Sequence, residues 1–258
     1  AIAGNFRWGP VLQRVAVSNE AELVDNFASP SDDTAIDFLS ATQFLRYSSS
    51  LQVVRNVDSA ATSAFSLQGT TSASPDSNGS TVIDNPLILS STDFDQRETS
   101  LEAALDSDQA VGYGFVARFP GALGNSLKVE YLPADSTGTV FSSWTYATSF
   151  DATPATSTFA SGKGSTNDEM HIAVIDEDGL FSGTRGTVLE IFPNVSILTD
   201  AKNNEGQSIY AKDVVNTSSQ YVYFLNFDTQ LEGQGAAGAS SLSTNYGLST
   251  SVARTVSL

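Results

Sequence analysis

The stretch GYGFVARFPGALGNSLKVEYL, residues 112–132, carries the clearest structural pattern in the chain. Apolar residues alternate with others on both sides of its centre, a period of two that is typical of half-buried β-strands. Pro120 has no backbone N–H and Gly121 accepts a positive φ, so this pair predicts a sharp break between two strands. Gly124 and Asn125 predict a second tight turn. The stretch therefore predicts a hairpin-like arrangement of strand, turn and strand.

Composition limits the classes of protein to which the chain can belong. Its 258 residues are 40% apolar, enough for a substantial core in one large domain or two modest ones. A net charge of −17, with 12 scattered basic residues, argues against nucleic-acid binding, which requires cations to neutralise phosphates. The sequence has no cysteine, so disulfides and thiol chemistry are excluded.

The sequence contains no pattern for membrane insertion or secretion. No apolar run approaches the ~18 residues of a membrane span, and no signal peptide is visible. The chain begins without methionine on strand-like sequence and ends on another strand-like run. We therefore expect it to be a piece of a longer polypeptide.

Two helices are predicted before the first long strand. Asn19 with Glu22 three residues later has the form of a helix-capping box and predicts a short helix that stops near Pro30. Asp33 predicts the start of a longer helix that extends to about Ser48. Apolar residues cover most of the circumference of this second helix, so we expect it to be buried on more than one side.

Further along the chain, the same criteria predict two more helices and three more strands. The helices cover residues 92–106 and 207–218, and the strands cover residues 170–175, 187–192 and 221–225. The sequence therefore predicts an α+β (mixed α/β) fold. We expect a central mixed or antiparallel β-sheet flanked by several helices, with Ser/Thr/Gly-rich loops between them.

A first polar stretch interrupts this pattern. Residues 59–81 are rich in serine, threonine, glycine and alanine and show no periodicity. We expect a mobile loop or a reduced insertion there. The predicted α/β domain is then discontinuous and consists of residues 1–58 and 82–258.

A second Ser/Thr-rich stretch, residues 133–169, leaves an alternative function open. Trp144, Tyr146 and Phe150 are almost evenly spaced in it and predict a short outer strand. An exposed set of three rings would also be the platform that a carbohydrate-binding module needs. A secreted β-rich adhesin or carbohydrate-binding module, acidic and free of cysteine, is therefore the alternative function.

His171 is the only histidine, and it lies within a predicted strand. A general base or a metal ligand needs partners, and the sequence offers neither a Gly-x-Ser-x-Gly elbow nor a zinc ligand set. We therefore interpret His171 as a structural residue. The spacing of the 29 acidic residues does not single out a glycosidase pair either.

Two short runs resemble ligand-binding loops only in part. In Asp-Glu-Asp-Gly, residues 176–179, a calcium loop fails because Leu180 and Phe181 stand where an oxygen ligand and a glycine are needed. As a metal clamp for a nucleotide sugar, the run matches at only three residues. Its last two residues instead predict the turn of a hairpin. The run GKGST, residues 162–166, lacks the leading glycine of a phosphate loop and is interpreted as an ordinary loop. No catalytic, cofactor-binding or metal-binding residue is predicted.

Three longer runs carry a family resemblance. ARFPGALGNSLKVEY, residues 117–131, has the pattern Pro-Gly-x-x-Gly-Asn-x-Leu-x-Val and resembles the signature of contractile tail sheath proteins from large myovirus phages. Residues 176–224, from DEDGLFSGTRG to SSQYVYF, are similar to that family's hairpin and the segment that follows it. The opening is similar as well: AIAGNFRWGP, then SNEAELVDNFASP, then DFLSATQFLRYSSSLQVVRNV. The matches stand in the family's order and cover well over half of the chain.

The resemblance implies a structural virion protein without enzymatic activity or cofactor. Sheath subunits form hexameric rings in a helical array around the tail tube, and they contract on a baseplate signal to drive the tube through the host envelope for genome ejection. They are assembled in the host bacterial cytoplasm and reside in the phage tail. The chain resembles the outer, protruding domain of such a subunit. The β-barrel that many members carry as an insert is reduced here to about residues 59–81.

The resemblance also implies partners and structural residues. The partners are other sheath subunits, with the tube and baseplate contacted through parts absent from this chain, and neither nucleic acid nor membrane. We expect the isolated chain to be a monomer. The motif residues set the central turn, the later hairpin turn and a helix–strand corner. They are Pro120, Gly121, Gly124, Asn125, Asp178, Gly179, Tyr210, Asn216 and Tyr221.

Overall fold

The computed structural model describes residues 1–58, 61–64, 87–106, 114–134, 140–225 and 254–257. The helices are α1 (Glu20–Phe27), α2 (Ala35–Leu45), α3 (Ser91–Asp106), α4 (Thr158–Gly162) and α5 (Ala211–Ser218). The strands are β1 (Ile2–Asn5), β2 (Arg14–Val17), β3 (Leu51–Asn56), β4 (Phe115–Ala117), β5 (Leu127–Pro133), β6 (Glu169–Asp176), β7 (Thr187–Ser196), β8 (Val222–Phe224) and β9 (Arg254–Ser257). The predicted α+β class is confirmed. In this part of the chain, no helix combines the length and apolarity needed to cross a membrane.

The described strands form three sheets. In the first, β3 lies between β1, which runs parallel to it, and β2, which runs antiparallel. The second is the antiparallel pair of β4 and β8. The third is antiparallel and has the order β7-β6-β5-β9. Most of the predicted insertion, residues 59–81, lies outside the described residues.

The order of strand, turn and strand predicted for residues 112–132 is present, but the two strands do not pair as a hairpin, because they lie in different sheets. β4 pairs with β8 and β5 pairs with β6 and β9. Between them, residues Ala122–Ser126 form a 3₁₀ helix instead of a tight hairpin turn. This helix carries the chain from one sheet to the next, and β5 is almost completely buried. Alternation along β5 therefore does not correspond to one solvent-facing side.

The N-terminal unit, defined here as residues 1–58, has its own hydrophobic core under α1 and α2. The capping box predicted for α1 is present in part: the Asn19 side-chain oxygen accepts the Glu22 N–H at 2.9 Å. The Glu22 carboxylate reaches back to the N–H of Ser18, at 2.8 Å, instead of that of Asn19. The core consists of Phe6, Val17, Leu23, Phe27, Phe38, Ala41, Leu51 and Val53.

The prediction that α2 is buried on more than one side is wrong. Its buried residues are Phe38, Ala41 and Thr42, which lie on one side of the helix. The opposite side contains large apolar residues that are exposed to solvent. The helix is also shorter than predicted, since it ends at Leu45.

The main core lies between the four-stranded sheet, the β4–β8 pair and α5. It includes Phe115, Leu127, Val129, Met170, Ile172, Val174, Leu198, Val215, Val222 and Phe224. A smaller aromatic cluster covers the other face of β5 and β6 and contains Leu132, Trp144, Phe150, Ala173 and Ile175. Trp144, Tyr146 and Phe150 do not form the predicted outer strand, because residues Phe141–Ser143 and Ala147–Ser149 are 3₁₀ turns.

Candidate functional site

A single buried guanidinium joins the N-terminal unit to the central turn. Arg55 on β3 is only 3% exposed. Its Nε donates to the carbonyl oxygen of Phe6 at 2.7 Å, and its Nη1 donates to that of Gly9 at 3.0 Å. Its Nη2 donates to the carbonyl oxygens of Arg7, at 3.2 Å, and Pro120, at 2.7 Å. Four backbone acceptors from two distant segments thus share one charged donor group.

Burial lowers the pKa of Arg55 to about 10. The guanidinium is therefore still charged at neutral pH, and its charge is balanced by carbonyl dipoles. We call Arg55, the carbonyl groups that it binds and the turn at Pro120 and Gly121 the arginine junction. Sequence reasoning missed Arg55, although a signal was present. In LQVVRNV, Leu51, Val53 and Arg55 share one side of the strand, and all three are buried.

Gly121 and Gly124 fit the central turn through close backbone approach. Gly121 has φ +122° and ψ 163°, a combination that is essentially restricted to glycine. A Cβ atom on Gly121 would lie 3.1 Å from Arg55 Nη2. A Cβ atom on Gly124 would lie 2.9 Å from the Cβ atom of Ala64. Asn125 is exposed, and neither Gly124 nor Asn125 has a positive φ, so the predicted second tight turn is replaced by the 3₁₀ helix.

We expect Gly121→Ala to lower the free energy of unfolding by about 2 kcal/mol, because it combines backbone strain with a close contact to Arg55. Gly162→Ala is the matched control. Gly162 has an ordinary φ, and a Cβ atom there would meet no atom of a neighbouring segment within 4 Å. Urea unfolding of both variants measures the difference. Equal stabilities for the two variants would contradict the proposed role of the turn.

An aromatic cluster lies where four segments meet. Trp8 contacts Phe119 edge-on, with ring centroids 5.3 Å apart, and Phe181 edge-on at 5.0 Å. Tyr221 lies nearly parallel to Trp8 at 6.3 Å and edge-on to Phe181 at 5.3 Å. Burial raises the pKa of the Tyr221 hydroxyl, and nearby carboxylates add to the increase. Tyr221, predicted as a corner residue, therefore also contacts the N-terminal unit.

The connection between β6 and β7 is organised around one carboxylate. Asp176 Oδ1 accepts the Ser126 hydroxyl at 2.7 Å and the Leu180 N–H at 3.0 Å. Its Oδ2 accepts the Phe181 N–H at 2.9 Å, and both the N–H and the hydroxyl of Ser182 at 2.8 Å. Burial alone would raise the pKa of Asp176, but the hydrogen bonds from Ser126 and Ser182 lower it below its ordinary value.

Asp178 and Gly179 lie within this connection. The predicted hairpin between β6 and β7 is present, although its loop is longer than a two-residue turn. Asp178 Oδ1 accepts a hydrogen bond from Arg185 Nη2 at 2.7 Å on the exposed side of the loop. Gly179 has φ +77°, and a Cβ atom there would lie 2.7 Å from the backbone nitrogen of Arg185. Both residues therefore contribute to the loop geometry.

Tyr210 lies just before α5 and Asn216 lies in its last turn. Tyr210 precedes the helix, and its N–H donates to the Ser208 hydroxyl at 3.2 Å. The Asn216 side-chain amide donates to the Phe224 carbonyl oxygen at 3.0 Å and accepts the Phe224 N–H at 2.6 Å. This amide holds α5 against β8, because it pairs with both the N–H and the carbonyl oxygen of Phe224, as the backbone of a neighbouring strand would.

His171 is placed as a structural residue and is 1% exposed. Its Nδ1 accepts the N–H of Asn194 at 3.1 Å, so its Nε2 carries the hydrogen and contacts the Ala152 carbonyl oxygen at 2.7 Å. The ring stacks on Phe150, with centroids 4.3 Å apart. Asn194, which has φ +50°, belongs to an irregularity in the pairing of β6 with β7. Burial lowers the pKa of His171, although its backbone hydrogen bonds oppose this.

We expect His171 to make the protein less stable as the pH falls below about 6.5. The folded state lowers the pKa of this imidazole. Its contribution is therefore complete above the unfolded value of 6.5 and decreases as the pH falls from there towards the folded value. Urea unfolding at about pH 7.5 and about pH 5.5 should show a smaller acid loss for His171→Gln than for the original chain. If the variant and the original chain lost the same stability in acid, titratable groups other than His171 would be responsible.

The other residues considered for ligand binding have structural surroundings as well. Trp144 is 6% and Phe150 8% exposed, so they do not present the platform that a carbohydrate-binding module needs. Trp144 Nε1 donates to a Glu130 carboxylate oxygen at 2.7 Å. Residues 162–166 begin at the last residue of the short helix α4 and continue beyond it, consistent with an ordinary loop. Within the described ranges, no three histidine or carboxylate side chains are grouped closely enough to hold a metal ion.

A second buried carboxylate was missed by sequence reasoning. Asp168 accepts the N–H and the hydroxyl of Ser157, both at 2.8 Å, and the hydroxyl of Ser196 at 2.6 Å. It joins the start of α4 to the end of β7. No periodic pattern distinguishes Asp168 from the other acidic residues around it, so the sequence offered no signal.

Comparison with known proteins identifies relatives of one kind, while no family model matches the chain. The chain is 29% identical to the tail sheath protein of Salmonella phage ViI over 195 residues, which are 74% of this chain and 24% of that protein. It is 50% identical to the tail sheath protein of Enterobacteria phage T4 over 58 residues, 22% of this chain and 9% of that protein. The tail sheath protein of Vibrio phage KVP40 is 41% identical over 58 residues, with the same coverage.

These relatives confirm the resemblance to tail sheath proteins that the sequence motifs predicted. The matched part spans at most 24% of each of these curated relatives. Among solved structures, a sheath tail protein from Listeria innocua is similar at a TM-score of 0.38 and 9% identity, covering 88% of this chain and 29% of that one. That structural likeness is too weak to carry a conclusion.

Proposed function

We propose that the chain is a structural part of a phage tail sheath subunit and resides in the virion tail. The observation that carries this proposal is the 29% identity to a tail sheath protein over 74% of the chain. The surroundings of the chemically reactive side chains support it. His171 and Asp176 are buried, and each is occupied by hydrogen bonds within the protein. We therefore propose a mechanical role without catalysis.

In this function, the work of contraction comes from a change in the packing of repeated subunits. Identical heterologous contacts generate a helical array, and an array with two stable packings can store energy in its interfaces. Residues 1–58 and 82–258 would form the outer, protruding domain, with residues 59–81 as a reduced insertion. Contacts with the tail tube and baseplate would come from parts outside this chain. Assembly would take place in the cytoplasm of the host bacterium.

A rigid domain is what such a mechanism requires. The arginine junction and the aromatic cluster of Trp8, Phe119, Phe181 and Tyr221 couple the N-terminal unit to the rest of the chain, so an outer domain built in this way moves as one body. Motion would then be confined to contacts between subunits. We propose that Pro120, Gly121, Gly124, Asn125, Asp178, Gly179, Tyr210, Asn216 and Tyr221 serve this rigidity.

Immunogold electron microscopy tests the proposed location. Antibodies raised against the purified chain should decorate parental phage particles along the whole length of the tail, both before and after contraction. Preimmune serum is the control. Labelling restricted to fibre tips or capsids would contradict the proposal and would support a role in adhesion instead.

We expect the isolated chain to be a monomer at micromolar concentration. Its net charge of −17 makes copies repel one another. Sedimentation velocity should therefore give a single species near 27.2 kDa. Stable rings or tubes formed by residues 1–258 alone would contradict this expectation.

A further inference from the structure

The exposed side of α2 carries an unusual concentration of large apolar side chains. Ile36 is 81% exposed, Leu39 54%, Phe44 45% and Tyr47 90%. At 100° per residue, Ile36, Leu39 and Phe44 lie on one side of the helix, opposite the buried Phe38, and Tyr47 follows in the turn after the end of α2. We call these four residues the α2 patch. Only three other large apolar side chains of the described residues are comparably exposed: Leu12, Leu180 and Ile191.

Folding of the N-terminal unit does not account for the α2 patch. The helix is already attached to its core through Phe38 and Ala41. The outer side of such a helix is normally polar, because exposed apolar side chains contribute nothing to the core. Exposure of this kind, with an area on the order of 500 Å², is typical of an interaction site.

We propose that the α2 patch is a contact surface for a second copy of this chain in the sheath array, an inference that rests on the proposed function. Charge favours this occupant. Two copies with a net charge of −17 repel each other least where charge is locally low, and the four residues of the patch, with Ser40 and Gln43 between them, are uncharged. The neighbouring Asp37 carboxylate accepts the Asn5 N–H at 2.7 Å. Exposed Arg46 at one end gives a cation for the acidic surface of the neighbouring copy.

The charges at the other end of α2 disfavour two different occupants. Asp32 and Asp33 are exposed just before the helix. They would be repelled by an anionic lipid surface, where amphipathic helices normally carry flanking lysine or arginine. A cationic peptide would be attracted by the net charge of −17 and not by an uncharged apolar side. A second copy carries both signs of charge, so its cations can face Asp32 and Asp33 while one of its acidic side chains faces Arg46. It therefore fits the patch better than a membrane or a basic peptide.

The size of the patch fits a contact that is weak alone and effective when repeated. Stable complexes bury about 800 Å² on each partner, more than the α2 patch provides. One such contact leaves isolated copies monomeric at micromolar concentration. Many such contacts, held in register by other parts of a sheath subunit, add up through their high effective concentration.

The test is self-association of the complete 258-residue chain at high concentration. We expect a dissociation constant on the order of 1 mM by sedimentation equilibrium, with concentration-dependent amide shifts in NMR spectra centred on α2. The double variant Ile36→Asp, Tyr47→Asp should weaken association at least about tenfold. Leu180→Asp, which also replaces an exposed apolar side chain with a charge, should reduce it far less. Circular dichroism and urea unfolding check the folding of the variants, which we expect to be retained because the replaced side chains are exposed.

The outcomes separate this inference from the proposed function. Lack of self-association at about 1 mM, or equal losses in the α2 and Leu180 variants, would overturn the inference. Binding of the chain to anionic vesicles through α2 would overturn it as well. None of these results affects labelling of virion tails by antibodies, which tests the proposed function by itself. Absence of tail labelling together with α2-dependent association would instead contradict the sheath location.

Discussion

Arg55→Met is expected to lower the free energy of unfolding by about 4 kcal/mol, or to prevent folding altogether. Methionine has a similar length but donates no hydrogen bond. The carbonyl groups of Phe6, Arg7, Gly9 and Pro120 would lose their shared donor, and a buried acceptor without a partner costs about 1–3 kcal/mol. Arg55→Lys should cost less, because it keeps the charge but cannot bind four acceptors at once.

Urea unfolding and hydrogen exchange would measure the effect of Arg55→Met. Exchange should accelerate first at the N–H groups of Trp8 and Leu12, which donate to the carbonyl oxygens of Phe27 and Arg55. Arg14→Met is the matched control, because Arg14 is exposed on β2. A loss below about 1 kcal/mol, similar to that of the control, would show that the arginine junction does not hold the two parts together.

Asp176→Ala is expected to cost about 4 kcal/mol. The variant leaves three backbone N–H groups and two hydroxyl groups without the acceptor that they share. Asp176→Asn should have an intermediate effect on the free energy of unfolding. Its side-chain oxygen still accepts hydrogen bonds, but its NH₂ group faces N–H and hydroxyl groups that also donate. Asp178→Ala is the control, because its ion pair with Arg185 is exposed and such pairs contribute less than about 1 kcal/mol.

The effect of Asp176→Ala should depend on pH in a defined direction. The pKa of Asp176 lies below its ordinary value of 3.8 in the folded protein. Its contribution is therefore complete above that value and is lost as the pH falls through the folded pKa. Urea unfolding of variant and original chain should give a constant difference at neutral pH and a smaller one under strongly acidic conditions. A difference that grows in acid would contradict this assignment.

Local patterns in the sequence predicted local structure well. Asn19 and Glu22 define the start of α1, as expected from a capping box. The strands on either side of the Asp176 loop pair with each other as predicted. In these cases the determining contacts lie close together in sequence, so the spacing of residue types contains most of the information.

Non-local contacts explain what the sequence did not predict. The partner of β4 is β8, more than a hundred residues away, and no turn motif in the sequence indicates that the two strands pair. Burial of Trp144 depends on Glu130 and on the stack with Phe150, and its position alone does not indicate this. For α2, the apolar pattern predicted a helix but could not show which of its sides is covered.

The arginine junction also fixes an order of events during synthesis of the chain. Arg55 can reach Phe6, Arg7 and Gly9 once the first strands exist, but the Pro120 carbonyl lies 65 residues further along. At ribosomal speeds of about 5–20 residues per second, that acceptor emerges on the order of 3–13 s later. During this interval, Nη2 has only the carbonyl oxygen of Arg7 as a protein acceptor, so its other N–H has to remain hydrated. The residues of the N-terminal unit are therefore synthesised before the last hydrogen-bond acceptor of Arg55. The arginine junction is complete only when the turn at Pro120 has been synthesised.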